Sequence, residues 1–190
     1  MLVTKECLDM IMKFEGLMTT AYWDGDGYSI GYGHHGADVQ KDDYTTPEHA
    51  YKMLIDDVLR FEQHVDSYNH IYNWTQNEFD ALVCFAYNIG NIDDLTQNGT
   101  RDKETIAKYM LEYVHFNGER NEGLVARRQA EHDLFVSDCE TLANPTKTEY
   151  TEDTTIREIV DDVINGKYGN GDDRKESIYN MVQNFVKARY

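Results

Sequence analysis

Apolar positions in the first third of the chain recur at two different periods. Leu8, Ile11 and Met12 follow Thr4 at helical spacing, and Glu15 takes the next place on the same stripe, with Gly16 behind it. That spacing predicts an amphipathic helix with Thr4 as N-cap and a stop at Glu15. The period then shortens. Ala21-Tyr22-Trp23 and Tyr28-Ser29-Ile30 flank Asp24-Gly25-Asp26-Gly27, which predicts two short strands joined by a glycine-rich turn. Thr46-Pro47-Glu48 opens a second helix, with proline in its first turn. Its stripe of Ala50, Leu54, Val58, Phe61 and Val65 is long enough to bridge two lobes. Thr75 and Glu78 form a capping box for a third helix, with Phe79, Leu82, Val83 and Ala86 facing inward and Gly90 ending it. Tyr87 and Asn88 fall on its last turn, where Tyr87 suits the core as well as a cleft wall. Farther on, Arg127 and Glu131 are spaced as an i,i+4 pair with Arg128 beside them, an arrangement read as structural. The pattern is α+β: mostly helical, with a small hairpin sheet.

The pattern changes after residue 139. Residues 140–154 combine a proline and several threonines with little apolar periodicity, and read as a linker. Beyond it, Ile156, Ile159, Val160 and Val163 make one helical stripe and Met181, Val182, Phe185 and Val186 another, around a glycine-rich loop. So short a segment buries little surface alone, so residues 155–190 read as a small helical bundle, either a separate module or a cap packed on the first domain. The division is therefore 1–139, 140–154 and 155–190.

Candidate chemistry gathers around the predicted hairpin. Glu15 ends an apolar stripe, where partial burial favours the neutral acid, while Asp24 lies in a wet turn and stays ionised. Ser29 follows Asp24 by five positions. Two carboxyl groups in unlike environments, with a hydroxyl close by, are the minimum equipment for hydrolysing a glycosidic bond. Asp24-Gly25-Asp26-Gly27 also looks like the start of a calcium loop, but the twelfth position of such a loop needs glutamate and holds His35. His34 and His35 are adjacent and point to opposite faces of a strand. No metal and no cofactor are expected.

These residues resemble the phage-type lysozymes of glycoside hydrolase family 24. The resemblance rests on Glu15-Gly16, Asp24, Gly27 and Ser29-Ile30-Gly31-Tyr32-Gly33-His34, and extends through residues 75–90 and 123–135. It implies a lysozyme-like fold in which Glu15 donates a proton to the leaving oxygen. Asp24 would stabilise the transition state or orient water, and Ser29, in place of the usual threonine, would hold that water. It further implies that His34 pairs with an aspartate of the interlobe helix, Asp57 being the candidate, and that His35, Tyr87 and Asn88 line a sugar cleft. The hydroxyl stands one residue closer to Asp24 than in the commonest motif. The final segment, Val163 to Lys175 with Tyr179, Val182 and Gln183, resembles a CW_7-type wall-binding repeat. That implies recognition of peptidoglycan with Asp173 and Arg174 in or near the pocket, although the stretch between Arg174 and Tyr179 is shorter than usual.

Composition narrows the partners. A formal net charge of -17 argues against nucleic acid. It also removes long-range attraction to polyanionic Gram-positive walls, leaving aromatic stacking and hydrogen bonds to bind sugars. Cys7, Cys84 and Cys139 are an odd set and read as reduced thiols. The amino terminus has no basic region followed by an apolar run, so neither a secretory signal nor an anchor is expected. The combined expectation is a phage endolysin: a muramidase held in the host cytoplasm until a holin-like protein gives it access to the wall. A lytic transglycosylase or a non-catalytic peptidoglycan-binding protein are the alternatives. Oligomeric state is open, through the C-terminal module.

Overall fold

The structure, a computed structural model, describes residues 1–137. The linker, the segment 155–190, Asp173, Arg174 and Cys139 lie outside the described residues.

The first helix, α1 (Lys5–Glu15), buries Cys7, Leu8 and Ile11 and stops at Gly16, whose N–H donates to Met12 O at 3.1 Å. Strands β1 (Met18–Asp24), β2 (Gly27–Gly31) and β3 (His34–His35) form an antiparallel sheet in that order. A register shift falls between Met18 and Tyr22. The 21-residue α2 (Pro47–Ser67) starts with Thr46 accepting the N–H of His49 and buries the predicted stripe from Ala50 to Val65. Its early turns pack on β2 and β3 and its later turns on the helical lobe, so it spans both over about 30 Å. The short α3 (Asn69–Tyr72) leads into α4 (Gln76–Ile89), whose capping box is present in both directions. After α4 come α5 (Asp93–Thr96), α6 (Lys103–Met110), the small ribbon β4 (His115–Phe116) with β5 (Glu119–Arg120), and α7 (Glu122–Val136). Among the described residues no helix is long and apolar enough to cross a membrane.

Helix α4 is the axis of the larger lobe. Every residue from Phe79 to Ala86 is buried, and α1, α2 and α7 pack around it. A helix buried on all sides needs apolar residues on all sides, and α4 has them except at Asp80. That carboxylate explains why Thr4 departs from its expected capping role. Thr4 does precede α1, but its hydroxyl donates to Asp80 Oδ2 instead of capping the helix, and its N–H also donates to the same side chain. Gln76 Nε2 adds a third donor at 2.8 Å. Burial raises the Asp80 pKa to about 6, with the Thr4 and Gln76 hydrogen bonds opposing the shift. The folded chain therefore holds this proton more tightly than the unfolded chain does. Stability from this group is fully present below the unfolded value near 3.9 and is lost as pH rises through about 6, by about 3 kcal/mol in total. Urea denaturation should show wild type losing about that much more stability than Asp80→Asn between about pH 4 and about pH 7. Parallel pH profiles for the two proteins would count against it.

Both described cysteines, Cys7 and Cys84, are buried and free, and burial pushes their thiols well up. They are protonated and poorly nucleophilic.

Candidate active site

Strand alternation builds one wall of the site. Tyr22 pairs with Ser29, Asp24 with Gly27, and Ser29 with His35, so these five residues share one face of the sheet. Asp24 is exposed at the end of β1, whereas Ser29 is completely buried. Its hydroxyl is an internal one, 3.2 Å from Asp24 Oδ2 and 2.9 Å from His35 Nδ1. It faces two side chains of its own sheet. Tyr22 completes the face. Burial pushes its phenol pKa up, and Asp24 and then Glu15 add to that shift, so it lies within the field of both carboxyl groups.

The opposite face of β3 turns toward α2. His34 Nδ1 lies 2.8 Å from Asp57 Oδ2 and Nε2 3.1 Å from Asp38 Oδ2. Burial works against the charged ring, but the hydrogen bonds to Asp38 and Asp57 outweigh it and raise the His34 pKa above its ordinary value. Asp57→Asn should therefore move the His34 titration downward, as followed by the ring Cε1–H resonance in NMR. An unmoved titration would show that Asp57 is not the partner that matters.

The second wall comes from the helical lobe. Glu15 ends α1 with its side chain 23% exposed, and its Oε1 accepts a hydrogen bond from Arg127 Nη1 at 2.6 Å. Arg127 is itself only 4% exposed. It also donates through Nε to Glu131 Oε1 at 3.0 Å and through Nη2 to Cys84 O at 3.2 Å. The i,i+4 pair of Arg127 and Glu131 is present, and these two residues and Arg128 are all buried. Arg128 Nε and Glu131 Oε2 are 3.0 Å apart but out of hydrogen-bond alignment, while Arg128 Nη2 reaches Asn88 Oδ1 at 2.8 Å. One buried carboxylate thus holds two guanidinium groups, one aimed at Glu15 and the other at Asn88.

The remaining predicted residues fall around this wall. Tyr87 is partly buried against Phe61 and donates to Tyr32 O at 2.9 Å, and burial pushes its phenol strongly up. Gly33 lies between them: a Cβ there would sit 3.5 Å from Glu15 Oε2 and 4.0 Å from the Tyr87 ring, at a backbone φ of +88° that side chains resist. Asn88 is exposed on the last turn of α4. Trp23 and Tyr28, a cross-strand pair on the other face of the hairpin, meet edge to face at 5.3 Å, and Trp23 is 61% exposed.

The fold and these walls define a two-lobed protein with carboxyl groups on a helix end and on a facing hairpin. The chain belongs to the phage lysozyme family, whose model matches residues 12–131, and a CW_7 repeat matches residues 157–189. It is 35% identical to an endolysin of Bacillus phage B103 over 71% of this chain and 54% of that protein. An endolysin of Bacillus phage PZA is 36% identical over 72% of this chain and 56% of its own length. The chain thus spans a little over half of these curated relatives. The muramidase domain of SpmX from Asticaccaulis excentricus has a solved structure at a TM-score of 0.64 and 32% identity, covering 72% of this chain and 98% of that one. The lysozyme-like α+β architecture expected from the sequence is the one observed.

Proposed function

We propose that this protein is an endolysin that hydrolyses the β-1,4 bond between N-acetylmuramic acid and N-acetylglucosamine in peptidoglycan. The observation that carries the reading is the anchoring of Glu15. A half-open carboxyl group is fixed by a closed guanidinium, which is costly to build unless the carboxyl group has work to do. Arg127 occupies Oε1, which leaves Oε2, on the Gly33 side, to carry the proton. As Glu15 gives that proton to the leaving oxygen it becomes a carboxylate, and Arg127 stabilises the charge as it forms. Asp24 stabilises the oxocarbenium-like transition state or orients water, with the buried Ser29 hydroxyl beside it. Tyr87 and Asn88 line the cleft.

Residues 1–139 act as the catalytic domain and 140–154 as linker. Residues 155–190 act as the wall-binding module, with Asp173 and Arg174 at its pocket and Arg174 suited to a stem-peptide carboxylate. The protein waits in the host cytoplasm, reaches a Gram-positive wall through lesions made by a holin-like partner, and lyses the cell.

The test is mass spectrometry of the fragments released from purified Gram-positive peptidoglycan. Reducing muramic acid ends are expected. Ends carrying 1,6-anhydro rings would make the protein a transglycosylase, and no fragments at all would make it a wall-binding protein.

A further inference from the structure

Two groups within hydrogen-bond distance of the Ser29 hydroxyl compete for its single proton, with the Tyr22 phenol beside them. Asp24 Oδ2, at 3.2 Å, can only accept. His35 Nδ1, at 2.9 Å, accepts or donates according to the state of the ring. The other ring nitrogen, Nε2, lies 3.3 Å from the exposed carboxylate of Asp26, whose charge favours a hydrogen there. A neutral His35 therefore carries its hydrogen on Nε2 and offers a lone pair at Nδ1. Ser29 then donates to His35, and Asp24 is left without the serine's hydrogen bond. A charged His35 carries hydrogen on both nitrogens. It donates to Ser29, which frees the serine's proton for Asp24, the carboxylate oxygen 3.2 Å away. The direction of the whole chain turns on one proton.

The seat of the imidazole is built for this. A Cβ at Gly27 would lie 2.8 Å from His35 Cε1 and 3.0 Å from Nε2, so only glycine lets the ring lie across the hairpin between Ser29 and Asp26. Ser29 is fully buried, which keeps solvent from supplying a competing donor to its oxygen. The groups that face His35 are Asp26 on the turn, Asp24 through Ser29, and Tyr22, whose phenol also meets Ser29. The acidic partners on the side of α2, Asp57 and Asp38, face His34 instead.

We propose that His35 is a positioning residue for catalysis, rather than a sugar contact, and that its charge sets through Ser29 whether Asp24 receives a hydrogen bond. A hydrogen bond from Ser29 stabilises the Asp24 carboxylate and weakens it as a partner for water or for the oxocarbenium-like centre. Neutral His35 releases it. The hairpin thus contains a proton-controlled switch one hydroxyl away from a reacting carboxylate. The kinetic consequence rests on the glycosidase reading above, whereas the direction of the hydrogen-bond chain does not.

Two measurements test it, one of which needs no activity. In ¹⁵N-labelled full-length protein, the His35 resonances, assigned by their loss in His35→Gln, should show a protonated Nε2 and an acceptor Nδ1 when the ring is neutral. Ser29→Ala should shift the Nδ1 resonance. The opposite tautomer, or no response to Ser29→Ala, would overturn the proposal even if the protein cleaves glycan. In kinetics on soluble peptidoglycan fragments, the ratio of wild-type to His35→Gln kcat should rise about fivefold from acid to neutral pH, the factor that one hydrogen bond is worth. The KM ratio should stay flat. A kcat ratio that does not change with pH, or a pH effect confined to KM, would return His35 to the cleft wall. Loss of cleavage by wild type would instead overturn the glycosidase reading and leave the NMR result to decide the switch.

Discussion

Arg127→Met is expected to cut kcat by about a hundredfold while leaving KM nearly unchanged, because Glu15 loses the buried group that, among the described residues, orients it. The guanidinium does three things at once: it grips Glu15 Oε1, meets Glu131 and caps the Cys84 carbonyl. Methionine keeps much of the stem volume and removes all three contacts. Lysine keeps the charge but, as a single point donor, cannot reach the three acceptors in their fixed geometry, so Arg127→Lys should recover only part of the rate. Steady-state kinetics on peptidoglycan fragments check both variants. Full activity in Arg127→Met would mean that Glu15 is positioned by something else.

Glu131→Leu should be the most damaging single change to the fold, costing about 3–5 kcal/mol in urea or thermal denaturation. Glu131 is fully buried and is the carboxylate that both Arg127 and Arg128 share inside the helical lobe. Removing it leaves two desolvated guanidinium groups near each other, offset among the described residues by Glu15 on the cleft side. The effect should extend to Asn88, since Arg128 would lose the anchor that aims it there. A loss under about 1 kcal/mol would place the network among surface ion pairs, which contribute little.

The two walls of the site differ in how much of them the sequence reveals. The hairpin wall is local. A turn between strands of period two puts Asp24 and Ser29 on one face, and carrying that alternation back one step gives Tyr22, which motif reading alone passes over. The neighbours of His35 are equally local, since Gly27 and Asp26 lie in the same turn, yet distances were needed to see the ring over the glycine. The helical wall is different. Arg127 and Glu15 are 112 residues apart, and no local rule connects them. A signal was nevertheless present: Leu124, Arg127, Arg128, Glu131 and Phe135 recur at the spacing of a core stripe, with charges where apolar residues belong. Reading the spacing only as an i,i+4 pair with a structural role leaves the buried network and its reach to Glu15 unseen. The same holds for Asp80, a lone acid in an otherwise apolar helix, which takes Thr4 from the expected cap.

Glu15 is proposed as the proton donor of a working glycosidase. The most direct test of that role is the rate of reducing-end release from purified peptidoglycan by wild type and Glu15→Gln, with thermal denaturation confirming that both are folded. Glutamine keeps the shape and can still accept from Arg127, but it has no proton to give to the leaving oxygen. The expected result is a loss of at least about a thousandfold at unchanged Tm. A folded Glu15→Gln that retains a tenth of the wild-type rate would contradict the account.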